Sequence, residues 1–156
     1  MSFEASPVAS SVVVIVRHAE ACAGSPDRER PLSDHGIVQA TEVAERLAEL
    51  RLHLGAVWHS GRERARHTAT ILARGCGTPE PVAVLGLDPD DDPDDIALEL
   101  ETDPRSVVLV AHMPLVGRLA SRLLTGDADR SPVIFPTAGV LVLRRVDGAW
   151  QRVMSF

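Results

Sequence analysis

The run Val12-Val13-Val14-Ile15-Val16 constrains this chain more than any other stretch. Five consecutive β-branched residues offer no polar side to water. They predict a strand covered on both faces, as in a parallel sheet. Ser106-Val107-Val108-Leu109-Val110-Ala111 has the same character. Each run stops at a reactive polar residue: Arg17 and His18 follow the first, and His112 follows the second.

The segments between them read as alternating helices and strands. Ser33 or Asp34 can cap a helix in which Ile37, Ala40, Thr41, Ala44, Leu47 and Ala48 recur at helical spacing, predicted to run to about Leu52. Ala56-Val57-Trp58 predicts a short strand. Ser60-Gly61-Arg62-Glu63 matches a capping box, with Ser60 as N-cap of a helix reaching about Arg74. Val82 to Leu85 predicts a short strand, and the acidic tract Asp88 to Asp95 a solvated loop leading into a helix over Asp94 to Glu101. Pro114 suits the first turn of a helix that Leu115, Leu119 and Leu123 continue to Gly126. Val140 to Arg145 and Ala149 to Met154, joined at Asp147-Gly148, predict a terminal hairpin. This order predicts a three-layer α/β/α sandwich around a mostly parallel sheet, built as a single domain over residues 1–156.

Composition narrows the chemistry. All 16 basic residues are Arg, so a P-loop lysine and a Schiff base are excluded. Arginine is the better bidentate partner for phosphate or carboxylate. A net charge of −6 argues against nucleic acid as a partner. No apolar run approaches the roughly 20 residues of a membrane span. Met1 to Ser11 shows no signal-peptide pattern, which leads to the expectation of a cytoplasmic protein without a membrane partner. Cys22 and Cys76 read as two unpaired thiols.

Ligands of open α/β sheets bind at the carboxyl ends of the strands. Arg17-His18, His59-Ser60 through Arg64, and His112 all fall at such ends, so two Arg and two His are predicted to converge. Such a set suits a phosphoryl group, whose transfer asks mainly for positioning and for cations around the equatorial oxygens. Arg17 and Arg64 supply guanidinium forks. A neutral His18 imidazole can attack phosphorus if its other ring nitrogen donates to a backbone carbonyl. His112, protonated near its ordinary pKa of about 6.5, can neutralise the transferring group. No metal or other cofactor is called for. A zinc site from His18, His59 and His112 is disfavoured by the surrounding guanidinium groups and by the lack of ligand spacing. His35, His53 and His67 read as surface residues, and Arg62, Arg66, Arg74, Arg118 and Arg122 as solvated helix faces.

Several ordered blocks carry a resemblance: Arg17-His18 with Glu20-Ala21; Leu32-Ser33, Gly36 and Gln39-Ala40; Ser60 with Arg64-Ala65 and Thr68-Ala69; His112-Met113-Pro114-Leu115-Val116-Gly117; and Phe135-Pro136-Thr137-Ala138-Gly139. Together they resemble the histidine phosphatase superfamily, with its phosphoglycerate mutase-like fold, and within it the small SixA-type phosphohistidine phosphatases. The resemblance implies that His18 is the phosphorylated nucleophile, with Arg17, Arg64 and His112 completing the phosphate pocket and Ser60 and Glu20 binding substrate. Arg62 competes with Arg64 for the second arginine role, but the spacing to Ala65 and Thr68 favours Arg64. Ala19 stands where the family usually has Gly, and Gly61 where it usually has Pro. The general-acid Glu common in the superfamily has no clean counterpart, leaving Glu80, Asp88 and Asp90 as candidates. The implied substrate is therefore phosphohistidine on a protein, with inorganic phosphate as product, because a P–N bond breaks more readily than an alkyl ester. A small phosphate ester is the alternative substrate, and a phosphate-binding module without turnover the alternative function.

Overall fold

A computed structural model of the chain describes residues 11–156; the reading of residues 1–10 lies outside the described residues. In chain order the elements are β1 (Val12–Arg17), a 3-10 turn (Asp27–Glu29), α1 (Asp34–Glu49), β2 (Leu54–His59), α2 (Glu63–Cys76), β3 (Val82–Ala83), α3 (Pro93–Thr102), β4 (Ser106–Ala111), α4 (Leu115–Thr125), β5 (Val140–Val146) and β6 (Ala149–Ser155). The six strands form one sheet in the order β3-β2-β4-β1-β5-β6. β3, β2, β4 and β1 run parallel, while β5 is antiparallel to β1 and β6 to β5.

The β-branched run works as its composition demands. Val12, Val14 and Val16 pack with Ala40, Val43, Leu47, Ala69 and Leu72, so α1 and α2 cover one face. Val13 and Ile15 pack with Ile96, Leu100, Leu115 and Leu119, so α3 and α4 cover the other. Alternate residues of β1 thus serve opposite cores. Val14, Ile15 and Val16 are fully buried, each burial contributing about 1.5–3 kcal/mol.

Five local expectations need correction. The α1 helix ends at Glu49 rather than near Leu52, because Arg51 takes a left-handed conformation with φ 53°. Its buried stripe is Gly36, Ala40, Val43, Ala44 and Leu47, and Ile37 is exposed. The stripe is anchored by Gly36, where a Cβ would sit 2.0 Å from the Glu20 carbonyl oxygen, and that contact turns Ile37 outward. Ser60 is not the N-cap of α2. Arg62 occupies that position without a side-chain cap, and the Ser60 hydroxyl, besides accepting from the Arg62 amide at 3.2 Å, meets His112 Nε2. The acidic tract is only partly solvated: Asp92 caps α3 by accepting from the Asp94 amide, and Asp88 accepts from Arg62. Arg118 and Arg122 likewise carry ion pairs, with Asp129 and with Asp94 and Glu101 respectively.

Candidate active site

Strand register brings the two terminal histidines together. Arg17 is paired with Ala111 across β1 and β4, so His18 and His112 leave the sheet side by side with ring centroids 5.1 Å apart. The turn after β1 is held from several directions. The His18 amide donates to the Ala111 carbonyl at 3.0 Å, and the Ala138 amide donates to the His18 carbonyl at 3.0 Å. The Ala19 amide donates to Thr68 Oγ1 at 3.0 Å, and that hydroxyl donates to the Arg64 carbonyl at 2.8 Å. One threonine therefore ties the His18 turn to the first turn of α2, which carries Arg64.

The His18 ring has a defined tautomer. Its Nδ1 lies 2.7 Å from the Ala19 carbonyl oxygen, which only accepts. Nδ1 therefore carries the proton, and the neutral ring keeps a lone pair on Nε2. Burial, with Arg64, Arg17 and Arg30 adding positive charge nearby, pulls the His18 pKa down to about 4. The ring is thus uncharged at neutral pH.

His112 departs from expectation. It is buried, its Nε2 lies 2.7 Å from Ser60 Oγ, and its Nδ1 has no hydrogen-bond partner among the described residues. Burial first, then the neighbouring His18 and Arg64, lower its pKa to about 3, so this imidazole is not protonated near 6.5 as the sequence suggested. A phosphoryl dianion placed beside it would oppose that shift. His59, at the end of β2, is also buried, and its Nδ1 accepts from the Gly61 amide at 3.1 Å.

The arginines divide into two settings. Arg17 Nη1 donates to the Phe135 carbonyl at 2.9 Å, leaving its buried Nε without a partner among the described residues. Arg64, with a side chain only 8% exposed, donates to the Asp27 carbonyl at 3.0 Å and to Asp27 Oδ2 at 3.3 Å. Arg62 was read as a solvated residue. It is instead clamped between Asp27 at 2.6 Å and Asp88 at 2.9 Å. Arg30 closes the cluster on Asp27 Oδ1 at 3.0 Å. The Arg30 hydrogen bond, reinforced by Arg64, holds the Asp27 carboxyl below the usual carboxylate range.

Asp27 and Arg30 were missed in the sequence. Their signal was the dense run Asp27-Arg28-Glu29-Arg30 in a loop directly after the strand that carries His18. Of the predicted residues, the structure gathers His18, His112, Arg64 and Ser60, with Arg17 on the next strand position. Glu20 is exposed, and its carboxylate lies 3.7 Å from His35 on α1. Glu80 and Asp90 are exposed loop residues, whereas Asp88 is tied to Arg62. An open cavity of about 770 Å³ adjoins Asp27 and is lined by Pro26, Arg28, Glu29, Gly61 and Glu63. Among the described residues no three His, Cys, Asp or Glu side chains group as metal ligands.

The family model of the histidine phosphatase superfamily (branch 1) matches residues 13–86. An uncharacterized protein of Picosynechococcus sp. is 33% identical over 122 residues, covering 76% of this chain and 73% of the relative. The chain belongs to the histidine phosphatase superfamily. By that membership it is an enzyme of the phosphatase class. It is also 35% identical over 80 residues to a metal-independent phosphoserine phosphatase of Arabidopsis thaliana, covering 48% of this chain and 33% of that protein. Its fold is similar to the structure of the protein histidine phosphatase SixA complexed with tungstate, with a TM-score of 0.85 at 24% identity over 93% of this chain and 96% of that one.

Proposed function

We propose that this phosphatase removes the phosphoryl group from phosphohistidine in proteins, passing it through His18 and releasing inorganic phosphate. In this reading it works as a single domain in the cytoplasm and without metal. The observation that carries the mechanism is the 2.7 Å contact of His18 Nδ1 with the Ala19 carbonyl, which reserves the Nε2 lone pair for attack. A bond forms from Nε2 to phosphorus as the P–N bond breaks to a substrate ring protonated on its other nitrogen, which leaves as neutral imidazole; water then attacks phosphorus, the Nδ1-protonated His18 ring leaves neutral in turn, and phosphate takes up the water proton. Arg17 and Arg64 supply charge to the equatorial oxygens, and His112 Nδ1 is the further ring atom free to bond one of them. Ser60 positions His112.

Leaving-group chemistry favours phosphohistidine over an ester. Asp27, the carboxylate woven into the cluster, is held ionised by Arg30 and Arg64 and is poorly suited to give up a proton. A phosphohistidine ring protonated on its other nitrogen departs as neutral imidazole, whereas a serine alkoxide needs a proton from the enzyme. The second reading, hydrolysis of a small phosphate ester, is favoured by the likeness to the phosphoserine phosphatase, and it needs an acid from Glu80, Asp88 or Asp90. Hydrolysis of a phosphohistidine peptide beside p-nitrophenyl phosphate, with chelator present, separates the two. The proposal expects peptide turnover that the chelator spares. Turnover of the ester alone, abolished by amides at the three carboxylates, would replace it with the second reading.

A further inference from the structure

Among the described residues three histidines are buried, and the mechanism uses only His18 and His112. The third, His59, is 5% exposed at the end of β2, where it pairs with Val110 of β4 and Ala83 of β3 and its carbonyl accepts from the Val84 amide at 2.9 Å. A buried imidazole calls for an account of its polar atoms. Here Nδ1 accepts from the Gly61 amide at 3.1 Å. An amide N–H only donates, so Nδ1 holds a lone pair and Nε2 carries the proton. Burial, reinforced by Arg66 and opposed by Glu63, both on α2, lowers the His59 pKa and keeps that lone pair free.

A side-chain acceptor bonded to the amide two residues on is the pattern by which Asn and Asp close turns. His59 does the same with a ring nitrogen. The turn it closes needs Gly61, whose φ of 90° is left-handed, and a proline there would have no N–H to give. Between the two lies Ser60. Its Oγ accepts from the Arg62 amide at 3.2 Å and lies 2.7 Å from His112 Nε2. Those are its hydrogen-bond partners among the described residues, so the hydroxyl hydrogen goes to Nε2. The neutral His112 ring then carries its proton on Nδ1, the buried atom left without a partner among the described residues. The far end of the turn is fixed as well, since Asp27 and Asp88 hold Arg62. With both ends pinned, the bond from Gly61 to His59 fixes the conformation between them, and with it the place of Ser60 Oγ.

We propose that His59 is a positioning residue for the reaction: by accepting the Gly61 amide it holds Ser60 against His112 Nε2, which sets the His112 tautomer and presents its Nδ1–H to the phosphoryl oxygens. His59 acts through Gly61 and Ser60 rather than on the phosphoryl group itself. The proposal rests on the role read for His112 above, and it holds for a phosphohistidine and for a phosphate ester alike.

The test is nitrogen-15 NMR of the histidine rings of the full chain at neutral pH, beside kinetics on whichever of phosphohistidine peptide and p-nitrophenyl phosphate wild type hydrolyses. In wild type, His59 should show an unprotonated Nδ1, and His112 a protonated Nδ1 with an unprotonated Nε2. His59→Leu keeps an apolar side chain in place but removes the acceptor. His112 should then become a mixture of tautomers, with kcat about tenfold lower and KM within about twofold of wild type. His59→Asn supplies an acceptor for the same amide, and should restore the single His112 tautomer and bring kcat to within about threefold of wild type. A protonated His59 Nδ1 in wild type would overturn the proposal without any variant, so a poorly folding His59→Leu does not shelter it. An unchanged His112 spectrum in His59→Leu would overturn it too. So would equal losses in His59→Leu and His59→Asn, because His59 would then serve by filling space and not by accepting a hydrogen bond. Loss of the single tautomer in His59→Leu with kcat unchanged would confirm the link to His112 but remove the role read for His112, and His59's part in the reaction with it.

Discussion

Acid should weaken the fold through the two site histidines, and the size of the effect follows from their burial. With His18 at about 4 in the folded chain and 6.5 when exposed, the unfolded chain binds a proton between those values and the folded chain does not. Stability therefore rises with pH across that window and is lost as pH falls through it. Between pH 7 and pH 4.5 this single group removes about 2.5 kcal/mol, from about 1.36 kcal/mol per unit. His112, lowered to about 3, has the same sign over the same range, and the two rings at 5.1 Å titrate as a pair. His18→Asn removes one titration while leaving every carboxylate in place. Urea unfolding of wild type and His18→Asn at pH 7, 6, 5 and 4.5 isolates the term as a difference. Relative to wild type, the variant should gain about 2.5 kcal/mol between the extremes. Parallel stability curves would refute the reasoning, because they would mean that His18 is charged as easily in the folded chain as in water.

Other consequences are nearer the chemistry. Since His18 is already neutral well below pH 7, kcat/KM for p-nitrophenyl phosphate should stay flat down to about pH 5, whereas an acid limb at 6.5 would contradict the lowered pKa. Thr68→Val leaves the buried Ala19 amide without its 3.0 Å acceptor and should cost about 1–3 kcal/mol in urea unfolding together with a loss of kcat; an unchanged enzyme would show that the His18 turn is held otherwise. Gly36→Ala drives a Cβ toward the Glu20 carbonyl and should destabilise by about 1–3 kcal/mol, which a thermal melt reads directly; a melt at the wild-type temperature would place α1 farther from that turn than the structure does.

The strands and the histidines at their ends were legible because their causes are local. A β-branched run can hardly be anything but a buried strand, and parallel register then fixes where His18 and His112 emerge. What escaped depended on partners far along the chain. Ser60 looks like a helix cap because Glu63 follows it at the right spacing, yet its hydroxyl meets His112, 52 residues away. Asp27 lies in a charged loop that any solvated surface would resemble, and only folding brings Arg30, Arg62 and Arg64 onto one carboxylate. The state of His112 was misread for the same reason: its identity is local, but its burial and positive neighbours are not.

The central claim is a phosphoryl group carried on His18 Nε2. Its most direct test is to react the enzyme with radiolabelled phosphohistidine peptide, quench within the first turnover, and map the label. The account predicts acid-labile, alkali-stable label on His18, none in His18→Ala, and turnover in that variant lower by roughly four to six orders of magnitude. Label on another residue, or near-normal turnover by His18→Ala, would contradict it.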